Sequence, residues 1–168
     1  MNPIASAKSV ARLLPWVPLI AVGFHLIEEF VWPGGFGEWY RRVYPERGAS
    51  LTPRFLVWIN ILLVVMSLGA ALMRTSQNGI RLWLIVASIA AANGVFHILA
   101  TIRSREYSPG VVTGTLLYLP LAVWGYFYFL SNDLVRADVA VQLAIIGPAY
   151  HLFSAWNHRR RSRDMGKT

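Results

Sequence analysis

Long apolar runs alternate with short polar breaks along this chain. Five of the runs approach the roughly 20 residues that a helix needs to cross a bilayer. They cover residues 13–31, 55–73, 80–101, 111–130 and 139–156. Because hydrocarbon offers no partner to unpaired backbone groups, we predict that each run is a helix. The predicted fold is all-α, a polytopic membrane bundle of five transmembrane helices.

The composition agrees with lipid as the solvent. Only 14% of the residues are charged, against about 25% in a typical soluble domain. The net charge of +8 is concentrated in loops and in the C-terminal tail, where anionic lipid headgroups are the expected partners and nucleic acid is not. We predict one transmembrane domain, residues 1–158, followed by a basic cytoplasmic tail, residues 159–168. The absence of cysteine excludes disulfides and thiolate chemistry.

The distribution of positive charge predicts how the bundle lies in the membrane. With five spans, 11 of the 16 Lys and Arg residues fall on the side of the C-terminal tail. The positive-inside rule then places the tail in the cytoplasm and the N-terminus outside, in a protein integral to the inner membrane of the cell. The first run continues into His25, Glu28 and Glu29 with no cleavage pattern, so we interpret it as a retained span.

The polar residues inside the predicted spans share one depth. Odd-numbered spans run in one direction, and their polar residues lie near the ends, whereas the fourth span runs the other way and has its polar residues in its first half. The candidate site residues in this layer are His25, Glu28, Glu29, Asn93, His97, Tyr118 and His151. All of them fall in the cytoplasmic half of the predicted bundle. We therefore predict one converging polar pocket.

Helical spacing gives the first motif a common face. His25, Glu28 and Glu29 stand at i, i+3 and i+4, and Asn93 and His97 at i and i+4. A carboxylate in the middle of a membrane costs about 2.5–3.5 kcal/mol, which favours a function over an accident of sequence. The alternative is that both glutamates lie within about 6 Å of the interface and are merely solvated.

The pentapeptide His25-Leu26-Ile27-Glu28-Glu29 resembles the uncharacterised membrane family that is named after its HxxEE motif. The likeness extends to the segment from Asn93 to His97 and to a late histidine, here His151. The resemblance implies a membrane protein with a His/Glu functional site. It implies no settled reaction, so the chemistry has to be argued from the residues.

A divalent metal centre is the first interpretation of these residues. Imidazole and carboxylate suit zinc or iron, and the predicted ligands are His25, Glu29, His97 and His151. Three further residues complete the predicted catalytic site: Glu28 as general base, Asn93 as an orienting group and Tyr118 as a hydrogen-bonding group. The predicted activity is metal-dependent hydrolysis of a lipidic or isoprenoid-like substrate that enters from the bilayer.

Two other classes of function stay open at this stage. Paired buried carboxylates with histidines also suit metal-free acid–base chemistry, as in an isomerase. They are also similar to the sites of intramembrane glutamate proteases of the CAAX-processing type, although Pro33 and Asn93 stand where those enzymes have arginine and phenylalanine. A proton- or metal-ion-coupled transporter is the third possibility. It is less favoured because the polar residues stop midway through the membrane. The sequence does not predict the oligomeric state.

Overall fold

The structure is a computed structural model that describes residues 13–48, 50–74 and 76–165. Within these ranges every regular element is helical. A 3₁₀ turn, Leu14–Trp16, leads into the first α-helix. The helices are α1 (Val17–Phe30), α2 (Phe36–Val43), α3 (Pro45–Gly48), α4 (Pro53–Met73), α5 (Gln77–Ser104), α6 (Val111–Ser131) and α7 (Ala137–Met165). The prediction of an all-α chain with membrane-like helices is confirmed.

The described residues contain four helices long and apolar enough to cross a membrane, not five. These are α4, α5, α6 and α7. The predicted first span, residues 13–31, is wrong at this length, because α1 has 14 residues and therefore extends only about 21 Å. Pro15 and Pro18 have no backbone N–H for a helix interior, and the helical stretch is interrupted there by the 3₁₀ turn Leu14–Trp16 before α1 begins at Val17. A bilayer core is about 30 Å thick, so α1 spans part of it.

Helix α5 is the centre of the bundle and packs against α1, α4, α6 and α7. Small residues allow these close approaches. A Cβ atom on Gly94 would lie 2.7 Å from the carbonyl oxygen of Gly114, so α5 and α6 meet backbone to backbone. On the other side, the hydroxyl of Ser88 donates to the carbonyl of Ala144 at 2.8 Å and accepts from the amide of Gly147 at 2.9 Å. These contacts set the register of α5 against α7.

The beginning of α6 departs from regular α-helix. A π-helical stretch covers Gly114–Tyr118, and Pro120 follows it in the next turn. Proline lacks the N–H that would close the regular hydrogen-bond ladder there, which favours a local change of helical pitch. The stretch ends at Tyr118, whose side chain is completely buried.

The segment between α1 and α4 covers one end of the bundle. Helix α2 is amphipathic: Phe36, Trp39 and Tyr40 are buried, whereas Arg41 and Arg42 are exposed. Its aromatic rings pack against Phe96 and His97 of α5. An aromatic buried face with a basic outer face is typical of a helix lying in the membrane interface. Helix α2 thus covers the end of the bundle where the motif histidine lies.

Candidate metal centre

Three side chains from two helices converge at this end of the bundle. The His–Glu cluster, as we name it, consists of His25 and Glu29 of α1 and His97 of α5. One ligand atom from each residue lies within 4.8 Å of the other two. Glu29 Oε1 is 3.4 Å from His25 Nε2 and 3.1 Å from His97 Nε2. All three side chains are buried, with at most 4% of any residue exposed.

The two short contacts to Glu29 fall outside good hydrogen-bond geometry. The Nε2 atoms of His25 and His97 are both buried, and neither has a hydrogen-bond partner of acceptable geometry among the described residues. A direct ion pair would normally align an N–H with the carboxylate oxygen, since charge-assisted hydrogen bonds are the strong ones. The three ligand atoms lie close enough to one another that they could hold one metal ion.

A chain of hydrogen bonds fixes the orientation of His25. The hydroxyl of Thr113 donates its single hydrogen to Glu28 Oε2 at 2.5 Å, so it can only accept from His25 Nδ1, at 2.7 Å. Nδ1 of His25 therefore carries a hydrogen, and in the neutral ring Nε2 is a free lone pair. That lone pair is the one beside Glu29. The arrangement has the form of the histidine–carboxylate partnerships that orient metal ligands, here with a threonine hydroxyl between the two groups.

His97 is oriented in a similar way on its other face. Its Nδ1 lies 2.8 Å from the hydroxyl of Ser108, which is completely buried in the turn between α5 and α6. Gly110 of the same turn packs against both imidazoles. It has a φ of +106°, and a Cβ atom there would come within 2.8 Å of Cε1 of His25 and 2.7 Å of Cε1 of His97. Only glycine suits both this conformation and this space.

Glu28 does not share the cluster with Glu29. Its carboxylate accepts four hydrogen bonds at the beginning of α6: from the hydroxyl of Tyr107, the amide of Val112, and the amide and hydroxyl of Thr113. The first amides of a helix lack partners within the helix and attract negative charge. Glu28 therefore caps α6 and holds Thr113 in place, and its role as general base stays a prediction.

Tyr107 lies outside the spanning helices and supports this arrangement. Burial raises the pKa of its phenol above the usual value of 10, and the hydrogen bond to Glu28 and the charge of that carboxylate raise it further. The hydroxyl therefore stays protonated at physiological pH and donates to Glu28. The sequence alone assigned no role to Tyr107 or Ser108, because both lie in a polar break that is indistinguishable from an ordinary loop.

A large cavity adjoins the cluster. Its volume is about 1430 Å³, and His25, Glu29 and Tyr118 form part of its wall. Most of the remaining wall is aliphatic and aromatic, with contributions from α4, α5, α6 and α7. Helices α4 and α7 both line the cavity and make few contacts with each other, among them the edge-to-face contact of Phe55 with His158. The cavity thus extends from the polar end of the bundle into its apolar part.

The other predicted site residues lie in the wall of this cavity. Tyr118 stacks on His25 with ring centroids 4.3 Å apart, and its buried hydroxyl has no hydrogen-bond partner among the described residues. Asn93 and His151 also line the cavity, but neither belongs to the group of three close ligand atoms. Of the four predicted metal ligands, the structure brings together His25, Glu29 and His97.

Comparison with known proteins agrees with the motif that forms the cluster. The family described as "Protein of unknown function with HXXEE motif" matches residues 16–125. The chain belongs to this family. The matched region contains His25, Glu28, Glu29 and His97 and ends within α6, so α7 with His151 lies beyond it.

One curated relative of this chain is an uncharacterised protein of Bacillus subtilis, YrkK. It is 24% identical over 132 residues, which is 76% of the present chain and 82% of the relative. No solved structure matches the chain. The family thus establishes the motif and the part of the chain that it covers.

Proposed function

We propose that the His–Glu cluster is the divalent metal centre of a membrane enzyme that hydrolyses a lipidic substrate, isoprenoid-like lipids included. One observation supports this above all. Two buried imidazole nitrogens lie 3.4 and 3.1 Å from the same carboxylate oxygen, yet neither has a hydrogen-bond partner among the described residues.

The donor set fits zinc or iron. Ligand atoms about 2.0–2.1 Å from a tetrahedral zinc ion lie about 3.3 Å from one another, close to the observed separations. Two histidines and one carboxylate are the ligands of several catalytic zinc sites and also of the facial triad of non-haem iron. Such a set leaves coordination positions for substrate or water. A bound ion would supply Lewis-acid activation of a carbonyl, a phosphoryl group or water.

The chain's own residues supply orientation and hydrogen bonds. Thr113 and Ser108 hold the two imidazoles with Nε2 toward the cluster. The hydroxyl of Tyr118 is buried beside His25 without a partner among the described residues, so it is available to donate to negative charge that develops on a substrate oxygen. Glu28 acts on the centre indirectly, through Thr113.

The cavity supports a lipidic substrate. At about 1430 Å³ it exceeds the 300–1,000 Å³ typical of small-molecule pockets, and its wall is mostly apolar. Because α4 and α7 make few contacts with each other, we infer that an apolar molecule enters the cavity laterally from the bilayer. Membrane lipids are therefore both the surroundings of the protein and the proposed source of substrate.

The proposed orientation puts the cluster in the cytoplasmic half of the inner membrane. Ten described arginines lie at the cluster's end of the four long helices: Arg41, Arg42, Arg47, Arg54, Arg103, Arg105, Arg159, Arg160, Arg161 and Arg163. Only three described arginines, Arg74, Arg81 and Arg136, lie at the other end. The positive-inside rule favours a cytoplasmic C-terminus on this count alone. An N-terminus outside further requires that the segment around α1 complete a crossing.

Metal content is the first test. Purified wild-type protein is expected to carry about one zinc or iron per chain by mass spectrometry of the metal. His25→Ala, Glu29→Gln and His97→Ala should lose it, while His151→Gln, a change in the cavity wall, should keep it. Hydrolysis of lipids from a membrane extract should be sensitive to chelation and absent from the same three variants.

Two results would overturn the proposal. A metal-free wild type that is still active on lipids or peptides would favour acid–base isomerase or protease chemistry. Proton or metal-ion uptake into sealed vesicles that depends on Glu29, without hydrolysis, would favour a transporter.

A further inference from the structure

Two buried polar atoms in the cavity wall have no assigned role in the metal centre. They are Oδ1 of Asn93 on α5 and Nε2 of His151 on α7, and neither has a hydrogen-bond partner among the described residues. Both side chains line the same cavity as His25 and Glu29. A buried polar group without a partner is costly, so native proteins satisfy such groups with protein, water or ligand.

The packing of α5 against α7 brings these two residues to one level. The two helices are parallel, because the segment between α1 and α4 contacts the C-terminal ends of both. Arg42 of this segment contacts Glu106, just after α5, and Ser50 contacts His158 of α7. The register is set where Ser88 bonds Gly147. Asn93 is five residues beyond Ser88, and His151 is four residues beyond Gly147. They therefore differ in height by only about one residue's rise, or about 1.5 Å.

We propose that Asn93 and His151 form a subsite for a hydroxyl group of the lipidic substrate. A hydroxyl has one hydrogen to donate and lone pairs to accept, so one such group satisfies both the Asn93 carbonyl oxygen and an N–H of His151. A hydrocarbon chain satisfies neither atom. An ether oxygen, which accepts but does not donate, satisfies only His151. The substrate class is thus an amphiphile that carries a hydroxyl group.

The subsite lies deeper in the bundle than the metal centre. Asn93 precedes His97 by four residues on α5, which is about 6 Å along the helix. Apolar wall residues continue beyond it, including Leu63, Met66 and Ala144. A hydroxyl held there would fix how far the chain of the lipid enters the cavity, and therefore which bond reaches the cluster. The assignment of this substrate class rests on the proposed function, although binding of the hydroxyl group itself needs no metal.

Binding of hexadecanol tests the proposal directly. Protein freed of metal with a chelator should bind radiolabelled hexadecanol about tenfold more tightly than hexadecyl methyl ether, which has the same chain but no hydrogen to donate. In Asn93→Leu and His151→Phe the ratio should fall close to one. His151→Gln keeps an N–H donor and should retain most of the preference.

The matched control is Asn60→Leu. Asn60 lines the same cavity, but its amide nitrogen already donates to the carbonyl of Leu56 at 2.9 Å. This variant should keep the tenfold preference. Gel filtration of every variant identifies any that fail to fold, and His151→Phe tests the subsite independently if Asn93→Leu is one of them.

The outcomes separate this proposal from the metal centre. Equal binding of alcohol and ether by the wild type would overturn the subsite, and so would an unchanged preference in both Asn93→Leu and His151→Phe, since water would then satisfy the two atoms. A chain that binds no metal but keeps the Asn93-dependent preference would overturn the proposed function alone. A chain that binds metal without that preference would overturn the subsite alone.

Discussion

Thr113 donates two hydrogen bonds to one oxygen of Glu28, through its amide at 2.7 Å and its hydroxyl at 2.5 Å. The same hydroxyl accepts from His25. A charge at the beginning of α6 is thereby connected to the orientation of an imidazole in the His–Glu cluster. Glu29 is a proposed metal ligand. Glu28, the residue before it, supports His25, which is the other proposed ligand on α1.

Removing the charge of Glu28 tests this division of roles. Glu28→Gln should lower metal affinity by about 10- to 100-fold without abolishing it, as is usual for the outer partners of metal ligands. It should also lower the free energy of unfolding, because α6 loses its anionic cap. Isothermal titration with zinc and chemical denaturation measure the two effects. Glu38→Gln, an exposed change on α2, is the control and should change neither. Full metal affinity with complete loss of turnover would instead assign Glu28 to the general-base role.

We expect the hydroxyl group of Thr113 to matter more for metal affinity than the shape of its side chain. Thr113→Val keeps a β-branched side chain but removes the acceptor for His25 and the donor to Glu28, and we expect metal affinity to fall 10- to 100-fold. Thr113→Ser keeps the hydroxyl and should stay within a few-fold of wild type. Equal affinities for the valine and serine variants would contradict the hydrogen-bond chain through Thr113.

The sequence predicted the neighbourhood of the site from simple geometry. Parallel odd-numbered spans and the i, i+4 spacing of His25 and Glu29 were enough to expect these residues near His97. The same spacing did not show that Glu28 and Glu29 contact different parts of the bundle. Adjacent helical positions differ by about 100°, so one faces α6 and the other the cluster, and only tertiary packing decides which.

Three other features depend on packing or backbone chemistry that hydropathy does not register. His151 lies at the predicted depth, yet it lines the cavity rather than joining the three close ligand atoms. The first apolar run is long enough for a span, but a 3₁₀ turn beside Pro15 and Pro18 interrupts it before α1 begins at Val17. Ser108 and Gly110 acquire their roles only when the turn after α5 meets both imidazoles.

Gly110 should be intolerant of even the smallest side chain. Gly110→Ala would force a Cβ atom against both His25 and His97 at a residue with φ of +106°. We expect at least a tenfold loss of metal affinity together with a lower melting temperature. Gly35→Ala is the matched control, since Gly35 also has a positive φ, +81°, but nothing lies within 4 Å of its Cβ position. Equal metal loss in both variants would mean that backbone strain, rather than the contact with the imidazoles, is responsible.

The phenol of Tyr107 gives a prediction about pH. Its pKa is raised above 10 in the folded protein, first by burial and then by Glu28. A raised pKa stabilises the folded state below pH 10, and this contribution is lost as the pH rises further, because the unfolded phenol ionises first. Tyr107 is 44% exposed, so solvent weakens this interaction, and Tyr107→Phe should be less stable than wild type by less than about 1 kcal/mol at pH 8, a difference that should shrink above pH 10. Denaturation across this range measures it, and a difference independent of pH would contradict the prediction.

Tyr118 and Tyr126 lie on the same helix, and we expect removal of their hydroxyls to have different effects on the free energy of unfolding. The hydroxyl of Tyr126 donates to the carbonyl of Leu84 at 3.2 Å, so Tyr126→Phe should destabilise the protein by about 1 kcal/mol. The buried hydroxyl of Tyr118 has no partner among the described residues, so Tyr118→Phe should leave the free energy of unfolding unchanged or slightly higher.

Metal content of Tyr118→Phe should be unaffected, since Tyr118 is not a proposed ligand. If the Tyr118 hydroxyl acts on the substrate, lipid hydrolysis by Tyr118→Phe should nevertheless fall at least tenfold. Destabilisation of Tyr118→Phe equal to that of Tyr126→Phe would make its hydroxyl part of the structural core rather than of the site.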